Sequence, residues 1–426
     1  MGTPAFRPGE EVIFLLTYLS SHIMLVNMSF RGFTYRLKPT LEQEDKFFQF
    51  AGVCRLVWNL ALEQRRDHWR NYQARTGDIL NYVTQARELT ILRREIDFVR
   101  AVSQTSQQYV LKSLDDAYRR FFKGLGGYPK PKKKGVNDAF TFNGREVSVE
   151  RLNRRWGRVR LPKIGWVKFR YTRAISGKIT EATVRLTPLG WQISIECKDC
   201  DVKDFAIEGA VGIDRGVAVP LMLSDGASYM LPETLAILDR KVRKAQRIAS
   251  RRKRGSRRYA KAQRRVAAIR AKQSRVRKHW AHETTTDICR KFGTVVIERL
   301  STKNMTKSAS GTVEEPGRNV AQKRALNRAI LNVGWHQIEM MLFYKANRLV
   351  KVDPRFTSQT CSCCGTVDSR SRKNQASFVC SACGFRANAD HNAAINVLHR
   401  GNTPGVEPSV GKALKRELPS VGIPSF

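Results

Sequence analysis

Residues 29–38 (SFRGFTYRLK) alternate apolar with polar or basic side chains, a period of two that predicts a strand with one wet, cationic face. The period then changes. From Leu41 to about Tyr72 the residues Phe50, Cys54, Val57, Trp58 and Ala61 recur at helical spacing, and a second helix carries Val110, Leu114, Ala117, Tyr118 and Phe121 on one face. These aromatics read as core. Arg65, Arg66, Arg70, Arg119, Arg120 and Lys123 fall on the opposite, exposed faces. Gly and Pro stop the helix at 124–135 (GLGGYPKPKKKG). Residues 140–200 return to short alternating runs, as in a small barrel or sandwich, and the strand at 29–38 is expected to join them.

A third region begins near Glu208. GAVGIDRGVAVPLMLSDG predicts a buried strand, a turn and a second strand. Helical periodicity follows from Thr234 to Phe292, with RGS at 254–256 as the turn between two helices. Next come a buried strand (TVVIERL), a polar loop at 301–322, one long helix at about 323–348 and another strand (LVKVD). The segment after Gly401 is rich in Pro and Gly and is expected to be unstructured.

Charge changes this picture. The 426 residues hold 77 Lys+Arg against 37 Asp+Glu, a formal +40, which is most easily tolerated beside a polyanion. Residues 240–279 concentrate nineteen Lys or Arg with no acid, so phosphate contact is the favoured reading of that helical pair. No membrane is expected as partner: the apolar stretch Val12 to Val26 is short of a bilayer span, and Glu10 and Glu11 precede it where a signal peptide would carry Lys or Arg. Translation starting at Met24 or Met28 is an alternative reading of that stretch.

The cysteines point to metal in a reducing compartment. Cys361-x2-Cys364 and Cys380-x2-Cys383, each pair followed by a glycine, form two knuckles that together present the tetrahedral thiolate shell of one structural Zn2+. Cys363 lies inside the first turn and reads as a spectator. Cys197 and Cys200 lack a second half and read as ordinary thiols, and Cys54 and Cys289 as core. The catalytic signal is three separated acids where a carboxylate is costly. Asp214 interrupts the apolar run VGIDRGVAV, Glu298 ends TVVIE, and Asp390 opens the helix NADHNAAINVL. Oxygen-only ligation suits two ions of Mg2+ or Mn2+ roughly 4 Å apart, which would activate a water and stabilise the leaving 3′ oxygen of a phosphodiester. Strand-Asp, later strand-Glu, then helix-Asp is the order of an RNase H-like α/β nuclease core.

The strings GIDRG, VVIERLSTKNM, FTSQTCSCCG and CGFRANADHNAAINVL resemble the transposon-encoded TnpB family and its relatives, the compact type V CRISPR nucleases. FRGFTYRLKPT, CRLVWNLAL and GYPKPKKKG fit as well, so the resemblance covers nearly the whole chain. It implies a multidomain α+β protein. A split wedge-type β-barrel would occupy 25–44 and 126–207, with an inserted helical recognition domain at 45–125. A RuvC-like nuclease core would occupy 208–355 and 385–400, and a zinc-ribbon-like module that binds target nucleic acid 356–384. Residues 1–24 would be an extension of unassigned role and 401–426 a disordered tail. Carried over by motif, Asp214, Glu298 and Asp390 are the catalytic acids that bind Mg2+, and Cys361, Cys364, Cys380 and Cys383 the zinc ligands. The expected partners are a guide RNA and double-stranded DNA bearing a short adjacent motif, in a prokaryotic cytoplasm near the nucleoid.

Two departures bear on the site. Arg215 stands where the family usually shows an apolar residue. Ala389 stands where an arginine often precedes the last acid, with Arg386 as the candidate replacement cation. The expected function is RNA-guided DNA endonuclease. Its rivals are an RNA-guided DNA-binding repressor without cleavage and a transposase-type strand transferase, the latter disfavoured because the sequence shows no convincing helix-turn-helix.

Overall fold

The computed structural model describes residues 30–402 apart from 79, 137, 201–207, 313 and 375, so the expectations for residues 1–24 and 403–426 lie outside the described residues. The chain divides into two compact units, Met1–Val202 and Lys203–Phe426.

In the first unit the alternating segment forms β1 (Arg31–Lys38), burying Phe33, Tyr35 and Leu37 and exposing the residues between. It pairs antiparallel with β7 (Gly190–Lys198) and β5 (Gly165–Arg170) in a seven-stranded sheet. The remaining strands are β2 (Ala139–Asn143), β3 (Ser148–Arg151), β4 (Trp156–Leu161) and β6 (Lys178–Thr187), in the order β2-β6-β7-β1-β5-β4-β3. Between β1 and β2 the chain is helical. A Thr40–Gln43 capping box starts α1 (Leu41–His68), satisfying amides that have no partner in the first turn. A second helix, α2 (Tyr82–Glu95), escapes the sequence pattern, and α3 (Gln104–Phe122) follows. Phe47, Phe50, Val110 and Leu114 share one core with Phe140 and Phe142 of β2. Arg65, expected on the exposed face, is instead buried, because Asp115 and Gln85 meet its guanidinium at 3.1 and 2.9 Å.

The second unit is built on a five-stranded sheet: β8 (Ala210–Asp214), β9 (Leu221–Leu223), β10 (Ser228–Tyr229), β11 (Thr294–Glu298) and β12 (Arg348–Val352), in the order β10-β9-β8-β11-β12. The strands β8, β11 and β12 run parallel, with Ile213 opposite Ile297 and Glu298 opposite Val352. Val211, Ile213, Val295, Ile297 and Leu349 pack on one side against α5 (Arg257–Lys291) and α7 (Trp335–Lys345). Val296, Val350 and Val352 face the other side, towards Val397 of α8 (Ala389–Gly401). That helix sits hard on β8: a Cβ at Gly212 would lie 2.2 Å from the Ala394 carbonyl oxygen. Before α5 runs α4 (Glu233–Ser250), joined to it by a turn at 251–256. The single helix expected at 323–348 is two, α6 (Val320–Val333) and α7, because Gly334 takes the left-handed conformation (φ +78°) and ends the first. Strands β13 (Ser377–Val379) and β14 (Arg386–Asn388) form a small hairpin beside the cysteine knuckles.

Candidate active site and metal centre

Strand periodicity decides where the acids point. Along β8 and β11 the odd residues Ile213 and Ile297 face α5 and α7, so Asp214 and Glu298, the last residues of their strands, fall on the α8 side. Asp390 lies in the first turn of α8, where Asn388 caps the amides of Asp390 and His391 at 3.0 and 3.1 Å. All three expected acids therefore converge on the C-terminal end of the parallel strands. Glu298 is 6% exposed. Burial, together with the neighbouring charges of Glu298 and Asp390, pushes the Asp214 carboxyl up to about 7, with Arg372 acting in the opposite direction. Burial likewise raises Glu298, against a hydrogen bond from Thr357 and the charge of Arg215.

Two of the three carboxylates have side-chain partners that the sequence reading missed. Thr357, buried, donates its hydroxyl to Glu298 Oε1 at 2.6 Å, and Arg372 Nη2 donates to Asp390 Oδ1 at 3.0 Å. Arg372 is thus the cation hydrogen-bonded to Asp390, while Arg386 lies exposed in β14, paired across the hairpin with Val379. On α8, Asn392 and Asn396 turn inward. Asn392 Nδ2 donates to the Thr360 carbonyl at 2.8 Å, and Asn396 Nδ2 to the carbonyls of Thr357 and Thr360 at 2.9 and 2.6 Å. Their i, i+4 spacing within the apolar run HNAAINVL was the available signal, since a buried amide demands hydrogen-bond partners.

The four expected zinc ligands come together. The Sγ atoms of Cys361, Cys364, Cys380 and Cys383 all lie within 4.8 Å of one another, with Cys361–Cys383 at 3.8 Å and Cys364–Cys380 at 3.6 Å. A tetrahedral site with zinc–sulfur bonds of about 2.3 Å has sulfur–sulfur edges of about 3.8 Å, so the quartet fits the ion. Gly365 (φ +76°) and Gly384 (φ +72°) close the knuckles in the left-handed region, and their amides donate to the carbonyls of Cys361 and Cys380 at 2.9 and 3.1 Å. Among the described residues this is the one His, Cys, Asp or Glu group of three or more whose ligand atoms fall within that distance; the three acids stand further apart. Cys363 is exposed and outside the quartet, while Cys54, Cys197, Cys200 and Cys289 are buried.

Three family models match the chain: the OrfB_IS605 family, described as probable transposase, over residues 193–309; the Cas12f1-like TNB domain over 335–397; and a helix-turn-helix domain over 28–74. The last stands against the reading that found no such motif, although the structure over those residues is a strand followed by one long helix. The RNA-guided DNA endonuclease InsQ of Escherichia coli (strain K12) is 32% identical over 397 residues, which are 91% of this chain and 97% of that protein. A Streptomyces pristinaespiralis protein, also named RNA-guided DNA endonuclease, is 32% identical over 87% of this chain and 89% of its own. In fold, the chain resembles Cas12f1 in its complex with guide RNA and target DNA (TM-score 0.53, 16% identity, 86% of this chain and 84% of that one). It also resembles the mini-RNA-guided endonuclease CRISPR-Cas_phi3 (TM-score 0.50, 9% identity, 88% and 93%). Kinship over nearly the full length of InsQ, together with the compact Cas12f-like nuclease fold, places this chain in the TnpB family.

Proposed function

We propose that the chain is an RNA-guided DNA endonuclease that cuts phosphodiester bonds through divalent cations held by Asp214, Glu298 and Asp390. The observation that carries this is the convergence of the three carboxylates at one end of the parallel strands, where burial first, and the charges of Glu298 and Asp390 second, push Asp214 up to about 7. Such a cluster of oxygen donors with excess negative charge fits hard cations, Mg2+ or Mn2+, and not zinc. When bound, two such ions would supply an activated water and charge stabilisation at the leaving 3′ oxygen.

The chain's own groups do the rest. Thr357 holds one oxygen of Glu298 through its hydroxyl. Arg372, a quarter exposed beside Asp390, would meet the scissile phosphate. The second unit would supply the RuvC-like core (208–355 and 385–400) and the zinc module (356–384). The first unit would supply the wedge barrel (25–44 and 126–207) and the inserted recognition helices (45–125). Guide pairing would read sequence, while the protein grips phosphates and reads a short duplex motif in the target. No helix among the described residues is long and apolar enough to cross a membrane, and the proposed place of action is the prokaryotic nucleoid.

Supercoiled-plasmid cleavage with copurified RNA and Mg2+ tests the reading. Asp214→Ala, Glu298→Ala and Asp390→Ala should each abolish cutting and leave RNA and target binding intact, because each removes a metal ligand and no phosphate contact. A wild type that binds its target without cutting would be a repressor. Any of the three variants cleaving within about tenfold of wild type would remove that acid from the site.

A further inference from the structure

Behind the acids, on the α7 side of the sheet, lies a buried charge relay. Continuing the alternation of β8, Arg215 follows Ile213 onto that side, and its side chain is 1% exposed. Its Nη1 meets Glu339 Oε2 of α7 at 3.2 Å, and Glu339 Oε1 in turn takes Lys351 Nζ of β12 at 2.6 Å. Its Nη2 donates to the main-chain carbonyl of Glu298, while its Nε has no hydrogen-bond partner among the described residues.

This is an expensive arrangement for stability alone. Burying an ion costs several kcal/mol before pairing, and an apolar residue of similar volume often serves a core as well or better. Orientation is what an apolar residue cannot reproduce. The planar guanidinium reaches two acceptors in a fixed geometry, one a helix carboxylate and the other the carbonyl of a candidate metal ligand. The end of β11 has two further holds, Arg299 N to the Val352 carbonyl at 2.8 Å and Leu300 N to the Glu298 carbonyl at 3.1 Å. Beyond the Ile213–Ile297 pairing of the two strands, the Arg215 side chain adds a hold from the far side of the sheet, running from the residue after Asp214 to the Glu298 carbonyl.

We infer that Arg215 is a positioning residue for phosphodiester cleavage: gripped by Glu339 on the far side of the sheet, it fixes the main chain at Glu298 and so the spacing of Glu298 from Asp214. The inference rests on the metal-site reading above. Placed behind the strands, the cation orients the acids without occupying the oxygens that would hold the ions.

The test combines turnover with a local probe of metal binding, on the protein–RNA complex as purified. Arg215→Leu should lower Mg2+-supported turnover at least about thirtyfold, with guide-RNA and target affinity within about threefold of wild type. Mn2+ should recover about tenfold of that loss, because Mg2+ demands near-ideal octahedral geometry and a displaced carboxylate violates it. Arg215→Lys keeps one charge but not the fork, and should fall between the two. Independently of activity, Fe2+ with ascorbate and peroxide should cut the backbone beside both Asp214 and Glu298 in wild type. The ratio of scission at Glu298 to that at Asp214 should drop at least about threefold in Arg215→Leu, or in Arg215→Lys and Glu339→Gln should the leucine variant not fold. An unchanged ratio, or a turnover loss that Mn2+ leaves untouched and that tracks RNA affinity, would overturn the inference alone. Scission surviving at both places in Asp214→Ala would overturn the metal-site reading and the inference with it.

Discussion

Arg372 Nη2 lies 3.0 Å from Asp390 Oδ1, so an arginine from the segment between the two cysteine knuckles neutralises one of the three candidate metal ligands. In the free protein this contact offsets part of the repulsion among the acids. In a loaded complex the same guanidinium would be free to bind a phosphate oxygen as negative charge builds on it. Arg372→Ala should therefore cost about a hundredfold in turnover at saturating Mg2+, on the scale of losing one preorganised donor to a developing anion. Target binding in a gel-shift assay should stay within about threefold, and the half-saturating Mg2+ concentration should not rise, because the variant loses a competing cation. Turnover unchanged from wild type would limit Arg372 to its ion pair.

Asp214 carries a pH dependence whose sign follows from its environment. Its folded value of about 7 exceeds the ordinary 3.8, so the fold binds that proton more tightly than the unfolded chain does. The stability it contributes is fully present below about pH 4 and is lost as pH rises through about 7. Replacing it by the neutral isostere, Asp214→Asn, should stabilise the protein in magnesium-free buffer at pH 8, by up to about 4 kcal/mol on the conversion of about 1.4 kcal/mol per pKa unit. Melting curves of the two proteins should converge near pH 4, and added Mg2+ should narrow the gap at pH 8. A variant that melts below wild type at pH 8 without magnesium would contradict the assigned environment.

The zinc knuckles and the acids are mechanically joined. Asn392 and Asn396, two and six residues beyond Asp390 on α8, grip the main chain at Thr357 and Thr360, and Cys361 follows directly. Thr357 itself holds Glu298. Cys361→Ser or Cys383→Ser should lose one zinc equivalent by elemental analysis and unfold the knuckle, since metal-binding energy in so small a module is largely folding energy. Cleavage should drop with it, at least about tenfold, through loosened Thr357 and Arg372. A wild-type protein without zinc, iron or another thiophilic metal would end the assignment of the quartet.

Much of this site was legible because its chemistry sits in local strings. Asp214 and Glu298 stand out where an acid breaks an apolar strand, and the two CxxC pairs declare their own spacing. What escaped was pairing at a distance. Thr357 and Arg372 look like ordinary polar residues of a polar segment, and only the folded chain brings them to Glu298 and Asp390. The same holds for Arg65: helical periodicity put it on the wet face, but Asp115, fifty residues on, draws it in. The break at Gly334 is visible as a glycine, but apolar periodicity continues on both sides of it and by itself predicts one helix. Strand β1, by contrast, needed only its alternation, since period two admits one face to a core and leaves the other wet.

The helical pair α4–α5 meets through Ala245, Ala249 and Val266, so its small apolar seam leaves the long basic side chains outside. Arg251, Arg252, Lys253 and Arg254 are all exposed in the turn at its tip. Of the described acids near the run, Asp239 pairs with Arg243 at 2.9 Å and leaves the tip untouched. If this tip grips phosphates, RNA affinity should fall with salt at about 0.7 to 0.9 log units per contact. Neutralising the four residues should then flatten the slope by about two to four units. The loss should be equal for matched and mismatched targets, because phosphate contacts position a strand and carry no sequence information. A solvated face makes the opposite forecast: the fourfold variant keeps the wild-type slope. Filter-binding across about 50 to 200 mM salt separates the two, and a chain with 77 cations against 37 acids favours a slope that drops.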